Sequence, residues 1–129
     1  MEIKKFTRSD EDALMRLIED QGEEWTCYST ADVAPSYRRA LENSITYVAY
    51  SDDILCGYAR AIDDNGFYVY VCDLLVSLKY RGNGIGRALM ESIRVDYPAQ
   101  TTYVMSDVDE YYEKQRFPRE GTVFEVVPK

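Results

Sequence analysis

The sequence predicts an α/β (α+β) domain, with a mixed, mostly antiparallel central sheet flanked by about four helices in the order β-α-α-β-β-β-α-β-α-β. Three observations carry this expectation. Two stretches between residues 9 and 43 repeat apolar side chains at helical spacing. Three β-rich runs follow between Thr46 and Leu78, separated by turn signals. A glycine-rich loop then joins the last run to another amphipathic stretch. With 129 residues, the chain reads as one domain over residues 1–129, because a division would leave neither part enough residues for a core.

Residues 2–6, Glu2-Ile3-Lys4-Lys5-Phe6, read as a short strand. Ser9 starts a helix, with Asp12 as its capping-box partner. Ala13, Leu14, Leu17 and Ile18 form the stripe of this helix, and Gly22 lies past its end. Residues 22–31 read as a loop. A second helix begins near Asp32, with Pro35 in its first turn and Val33, Tyr37, Ala40 and Leu41 on one face. Thr46 to Tyr50 is the next strand, and Ser51-Asp52-Asp53 a tight turn. Ile54 to Ile62 follows, with Gly57 marking a bulge. Asp63-Asp64-Asn65-Gly66 reads as a hairpin, because Asn-Gly accepts the positive φ angles of a type I′ turn. Phe67 to Leu78 is a long strand. The loop Lys79 to Arg87 opens a helix whose buried stripe is Ile85, Ala88, Leu89 and Ile93, and Pro98 ends that segment. Thr101 to Ser106 is β-rich, Ser106 or Asp107 caps a short helix through Lys114, and Thr122 to Val127 is a last strand.

Composition excludes several function classes. A chain that is 46% hydrophobic and 29% charged has the balance of a folded soluble domain. No apolar run approaches the roughly 20 residues of a membrane helix, and the first residues lack the apolar core of a signal peptide. The expectation is a cytoplasmic protein with no membrane association. The absence of histidine excludes Ser-His-Asp and Cys-His mechanisms and any zinc site that needs imidazole, so no metal is expected. Cys27, Cys56 and Cys72 form no CxxC pair and read as reduced thiols. The net charge is −8. Residues 1–66 hold 7 basic and 14 acidic side chains, whereas residues 67–129 hold 8 and 9. Such a balance counts against nucleic acid and anionic membranes as partners. It permits a cationic partner on the N-terminal half, although acidic side chains also serve solubility.

Lys79 to Arg87 is the most informative stretch. Gly82, Gly84 and Gly86 alternate between the end of a strand and the start of a helix. Glycine frees the backbone N–H groups there, and the helix dipole adds positive potential, so the loop is a nest of donors for an anion. Lys79, Arg81 and Arg87 add three cations with no acid between them. A phosphate-bearing ligand is the natural occupant. A Walker loop would end Gly-Lys-Ser/Thr, but here the residues are Gly86-Arg87-Ala88. A dinucleotide fingerprint would read G-x-G-x-x-G, but here it is G-x-G-x-G.

The pattern Arg81-x-x-Gly84-x-Gly86 resembles the coenzyme A pyrophosphate loop of the GNAT superfamily of N-acetyltransferases. Upstream, Cys72-Asp73-Leu74-Leu75-Val76 is similar to that family's fourth strand, whose main chain binds the pantetheine arm. Downstream, Tyr111-Tyr112-Glu113-Lys114-Gln115-Arg116-Phe117 is similar to the family's Phe-Tyr-Glu-Lys-x-Gly-Phe helix. The element order agrees almost throughout. Cys72 stands where polyamine-acetylating relatives carry a glutamate, and Arg116 replaces the glycine before Phe117.

The resemblance implies direct transfer of an acetyl group from acetyl-CoA to a primary amine, either a small cationic amine or a protein amine, in a ternary complex. It implies coenzyme A contacts along Leu74, Leu75, Val76, Arg81, Gly82, Asn83, Gly84, Ile85, Gly86 and Arg87, with a backbone N–H around Leu75 for the oxyanion. Tyr112 matches the acid that protonates the leaving sulfur. Asp73 is the best-placed carboxylate for the base; strict alternation would put it on one face with Val69, Val71 and Leu75, and a structural carboxylate is its other reading. Glu24 and Trp25 lie in the loop that borders the acceptor in this family and could hold a cation by charge and by the indole face. Cys72 reads as a core thiol. A homodimer is compatible with this reading. The alternative function is a non-catalytic acyl-CoA sensor or interaction module of the same fold.

Overall fold

A computed structural model describes residues 1–129. Strands β1 (Glu2–Lys5), β2 (Ile45–Ser51), β3 (Ile54–Asp63), β4 (Tyr68–Val76) and β5 (Thr101–Val104) form one sheet in the order β1-β2-β3-β4-β5. The first three pairings are antiparallel, and β4–β5 is parallel. Helices α1 (Glu11–Glu19), α2 (Thr26–Ser29) and α3 (Ala34–Asn43) precede β2. Helix α4 (Ile85–Asp96) is the crossover that a parallel pair requires, and α5 (Asp109–Lys114) follows β5. The mostly antiparallel mixed sheet agrees with the expected class. A fifth helix is present because a single turn, α2, forms inside the stretch read as a loop.

Each face of the sheet buries its own core. Helices α1 and α3 set Leu14, Ile18, Tyr37 and Leu41 against Val48, Tyr58 and Leu75. Helix α4 sets Ile85, Leu89 and Ile93 against Ala49, Ala59, Val69 and Val71. Leu14, Ile18, Leu89 and Ile93 are fully buried. Burial of one such side chain is worth about 1.5–3 kcal/mol, so the helical stripes hold the layers together.

Two bulges reset which side chains reach which face. Tyr50 pairs with Leu55 and Ala49 with Gly57, which leaves Cys56 as an extra residue in β3. Gly57 therefore belongs to the bulge that the sequence suggests. Arg60 pairs with Asp73 and Ala61 with Val71, so Cys72 is the extra residue in β4. One added residue turns the strand over. Val69 and Val71 pack under α4, whereas Leu75 packs with α1 and α3. Asp73 bonds Tyr37 of α3 and so shares the Leu75 face. The expectation from strict alternation, with Asp73 beside Val69 and Val71, is corrected by this bulge.

Three local expectations also change. The capping box before α1 is Thr7 and Asp10, two residues ahead of Ser9 and Asp12. The Asp10 carboxylate accepts the Thr7 N–H at 2.8 Å. It also accepts the Tyr50 hydroxyl at 2.6 Å from β2, whereas the exposed Asp12 carboxylate is taken by Arg38 of α3 at 2.9 Å. The positive-φ pair lies at Asp52 (50°) and Asp53 (65°), the two-residue connection of β2 to β3, as a type I′ turn needs. Asn65 has φ 67° but Gly66 is not left-handed. There the Asp64 carboxylate accepts the N–H groups of Gly66, Phe67 and Tyr68 and shapes a longer turn. Finally, no strand forms at Thr122–Val127. No helix or strand follows Lys114, and Val123, Phe124 and Val126 lie exposed. Alternation alone cannot make a strand without a neighbour to complete its ladder.

A Cβ at Gly57 would lie 3.0 Å from the Leu75 carbonyl oxygen and 3.4 Å from Ile85 Cγ2. Gly57→Ala is expected to destabilise the protein by about 1–3 kcal/mol, since backbone on one side and the first residue of α4 on the other must give way. Urea unfolding of the variant measures the loss.

Candidate active site

The site begins where β4 and β5 part. Their ladder runs from Tyr68–Thr101 to Val71–Val104 and closes with the Met105 N–H on the Val71 carbonyl at 3.1 Å. β4 continues to Val76, paired only with β3. Alternate backbone groups from Cys72 to Val76 therefore face a gap on the side that β5 has left. The Leu75 side chain is buried with α1 and α3, while Leu74 and Val76 pack toward α4. What this stretch offers to a ligand in the gap is its main chain.

The N-terminus of α4 faces the same end of β4. Gly82 and Gly84 hold φ at 85° and 76°, conformations that glycine takes without strain. The first α4 bond is Ala88 N–H to the Gly84 carbonyl at 3.0 Å. No acceptor within the chain takes the N–H of any residue from Gly82 to Arg87. Six backbone donors thus gather at the positive end of a 12-residue helix. The Ile85 side chain is buried, and the Asn83 amide donates to the Tyr80 carbonyl at 3.0 Å and braces the loop. Gly86 has ordinary backbone angles but no room: a Cβ there would lie 2.5 Å from the Tyr111 hydroxyl.

The cations around this nest are partly engaged. Arg81 donates from Nε to the Val76 carbonyl at 2.9 Å, which pins the loop to the end of β4. Arg87 donates to the Gln115 carbonyl at 2.8 Å and lies 5.0 Å over the Phe117 ring, so it ties α4 to the end of α5. Lys79 stands 5.5 Å from the Tyr80 ring centroid.

On the other face of β4, Asp73 is buried at the centre of a polar cluster. It accepts hydrogen bonds from Tyr28 (2.8 Å), Tyr37 (2.8 Å) and Arg60 Nε (2.6 Å). Tyr58 and Tyr37 share a further bond of 2.7 Å, and Arg60 also reaches Ser44 at 3.2 Å. Burial and the Asp73 charge push the Tyr28 and Tyr37 hydroxyls well above the usual tyrosine range. Burial alone would lower the Arg60 pKa, but its bond to Asp73 and the charge there raise it instead. Trp25 packs beside the cluster, 5.7 Å from the Tyr28 ring and 6.4 Å from the Tyr58 ring. Glu24 is exposed on the short 3-10 turn Gly22–Trp25 and makes no ion pair within the chain. The geometry thus brings Asp73 and Trp25 together and leaves Glu24 at the rim.

Helix α5 supplies two tyrosines. Its start is organised by the Ser106 hydroxyl, which donates to the Asp109 carboxylate at 2.7 Å. Tyr112 lies parallel to Phe117 at 6.5 Å and lines a cleft of about 960 Å³ with Val71, Arg87, Met90 and Val104. Burial, then Tyr111 and Asp107, push Tyr112 up to about 12. Tyr111 turns the other way, toward Gly86 and Leu74. Neither hydroxyl has a partner in the chain. Sequence reasoning missed Tyr28 and Arg60. Arginine between Ala59 and Ala61, in the middle of a buried strand, was the signal that an acid must face it. No group of three or more Cys, Asp or Glu side chains comes together as a metal site, and no helix is long and apolar enough to cross a membrane.

Comparison with known proteins agrees with this architecture. The model of the Acetyltransferase (GNAT) family matches residues 12–116. Among solved structures, a GNAT-family acetyltransferase from Streptococcus pneumoniae TIGR4 is 22% identical, with a TM-score of 0.71 and 97% of each chain covered. A ribosomal-protein-alanine N-acetyltransferase from Brucella melitensis biovar Abortus 2308 is 15% identical, with a TM-score of 0.75, covering 98% of this chain and 99% of that one. The aminoglycoside N-acetyltransferase AAC(6')-Iy, solved in complex with CoA, is 14% identical, with a TM-score of 0.70 and 99% of each chain covered. The chain belongs to the GNAT acetyltransferase family.

Asp73 has only a 4% exposed side chain, and Arg60 is its one cationic partner. Arg60→Met is expected to destabilise the protein by about 3–5 kcal/mol at neutral pH, because it strands a buried carboxylate. The double variant Arg60→Met/Asp73→Leu should recover part of that loss, and denaturation of the three proteins side by side checks both statements.

Proposed function

We propose that the protein moves an acetyl group from acetyl-CoA to a primary amine by direct attack. The observation that carries this reading is the set of six unpaired N–H groups from Gly82 to Arg87, at the end of a β4 edge that β5 has left open. In this reading the coenzyme A diphosphate lies on the nest, and the pantetheine arm runs along the main chain of Leu74, Leu75 and Val76. Arg81 and Arg87 add charge at the two flanks. The amine nitrogen forms a bond to the thioester carbonyl carbon, the carbonyl oxygen becomes an oxyanion held by an N–H near Leu75, and the C–S bond then breaks. Tyr112 gives its proton to the departing sulfur. With a pKa pushed up to about 12 it is protonated at neutral pH, so it can donate there.

Asp73, expected from the sequence as the proton acceptor, already holds three donors. We assign it the placing of Tyr28 and Arg60 under the acceptor, with the ammonium proton passing to water. Trp25, beside Tyr28, offers an indole to a cationic amine, and Glu24 adds charge at the rim. A small cationic amine or an exposed protein amine fits this acceptor. The single domain and the cytoplasmic setting belong to the same reading. The solved relatives that act on aminoglycosides and on ribosomal protein alanine bracket the two acceptor kinds.

Thiol release from acetyl-CoA against pooled amines tests the reaction. Coenzyme A binding with no turnover on any amine would favour the sensor reading instead. Gly84→Asp should weaken coenzyme A binding at least ~10-fold by calorimetry, since it puts a carboxylate at the nest. Tyr112→Phe should lower kcat at or below the ~100-fold end of acid catalysis and leave coenzyme A affinity unchanged. A pH profile should show no loss of the Tyr112 acid between pH 7 and 10, because its folded pKa of about 12 keeps the proton on. An alkaline fall of kcat in that window that disappears in Tyr112→Phe would show that the hydroxyl titrates lower than this, whereas full kcat in Tyr112→Phe would refute the assignment of the acid.

A further inference from the structure

Tyr111 stands where the family's pattern has phenylalanine, and its hydroxyl is placed with unusual constraint. A Cβ on Gly86 would lie 2.5 Å from Tyr111 Oη and 3.6 Å from Cζ. A side chain at 86 would therefore oblige the Tyr111 hydroxyl to move from its place against the first turn of α4. The same Cβ would be 3.6 Å from Leu74 Cδ2, so the end of the Tyr111 ring and a β4 side chain beside the open edge both approach Gly86. Tyrosines packed around the α1–α3 face satisfy their hydroxyls, Tyr28 and Tyr37 on Asp73, Tyr50 on Asp10, and Tyr58 on Tyr37, whereas the two α5 tyrosines do not. The Tyr111 hydroxyl has no partner in the chain, although burial pushes its pKa up against the opposing charge of Arg87. It is a donor without an acceptor, next to backbone donors without acceptors.

We infer that Tyr111 is a coenzyme A-binding residue that donates its hydroxyl to the diphosphate held at the α4 N-terminus, and that Gly86 is glycine to admit it. The inference rests on the reading of that nest as the coenzyme A site. It separates the neighbouring tyrosines by function: Tyr111 serves affinity for the phosphate end, and Tyr112 serves the chemical step. A hydrogen bond to a charged oxygen is stronger than a neutral one, so its loss is expected to be legible in binding.

The test is calorimetry of coenzyme A with wild type, Tyr111→Phe and Tyr112→Phe, together with turnover of acetyl-CoA and of S-acetylpantetheine, which has no phosphate. Tyr111→Phe should raise the coenzyme A Kd about 10-fold and raise the KM for acetyl-CoA alike, with kcat little changed. Its kcat/KM for S-acetylpantetheine should equal that of wild type. Unchanged coenzyme A affinity in Tyr111→Phe would overturn the inference while the nest reading stands. An equal loss with S-acetylpantetheine would also overturn it, by moving the contact off the diphosphate. Wild type that fails to bind coenzyme A at all would remove the nest reading and this inference together. Melting temperatures check the geometry independently. Gly86→Ala should cost less stability in the Tyr111→Phe background than in wild type, and purely additive effects would show that Tyr111 does not lie against residue 86.

Discussion

One extra residue in β4 is the constraint on which the rest depends. Cys72 has no partner of its own in β3, and because of it Val71 and Asp73 face opposite sides of the sheet. The alternating valines can therefore seal the α4 core while a carboxylate serves the other face. The Arg60–Asp73 bond holds the two strands at that place, directly across the register shift. Without the bulge, Asp73 would be driven among Leu89, Ile93 and the valines, where no donor waits for it. The same irregular point coincides with the loss of β5 from the other edge of β4. Bulge, buried ion pair and open edge thus occupy one short stretch, and the site is built around it.

Much of this was legible in the sequence. Helical spacing in Leu14, Leu17 and Ile18, and in Ile85, Leu89 and Ile93, identified the faces that the structure buries. The alternating glycines identified the loop before α4, and Gly57 marked its bulge. What failed to read through were choices decided by contacts distant in sequence. Thr7 and Ser9 both precede an aspartate by three residues, and Tyr50, 40 residues beyond Asp10, settles which box forms. Asn65-Gly66 has the stronger hairpin chemistry, but three N–H groups on the Asp64 carboxylate outweigh a two-residue turn there. The second bulge was invisible because Cys72 fits an alternating pattern in either phase. Arg60 could have revealed it, since a buried arginine demands an acid on its own face.

The two helices of the site are fastened to each other as well as to the sheet. Arg87 reaches the Gln115 carbonyl and covers Phe117, while Gly86 accommodates Tyr111. Residues that begin α4 thereby set the position of the whole of α5, a helix of only six residues that could not hold its shape alone. The element with the unpaired N–H groups and the element that carries the tyrosines are one mechanical unit.

The outline of the sheet has a consequence for how the molecule behaves in a crowded solution. Its inner strands have seven, ten and nine residues, and each of the two border strands has four. β1 interleaves Glu2, Lys4 and Lys5, so a neighbour aligning with that border would meet charge at most positions. β5 offers only Thr101 to Val104 before the chain turns away toward α5. The long, tyrosine- and valine-rich strands that would template stacking into fibrils are enclosed between two short margins. The fold thus keeps most of its adhesive backbone in the interior of the sheet, and only the last residues of β4 lack a neighbour on one side.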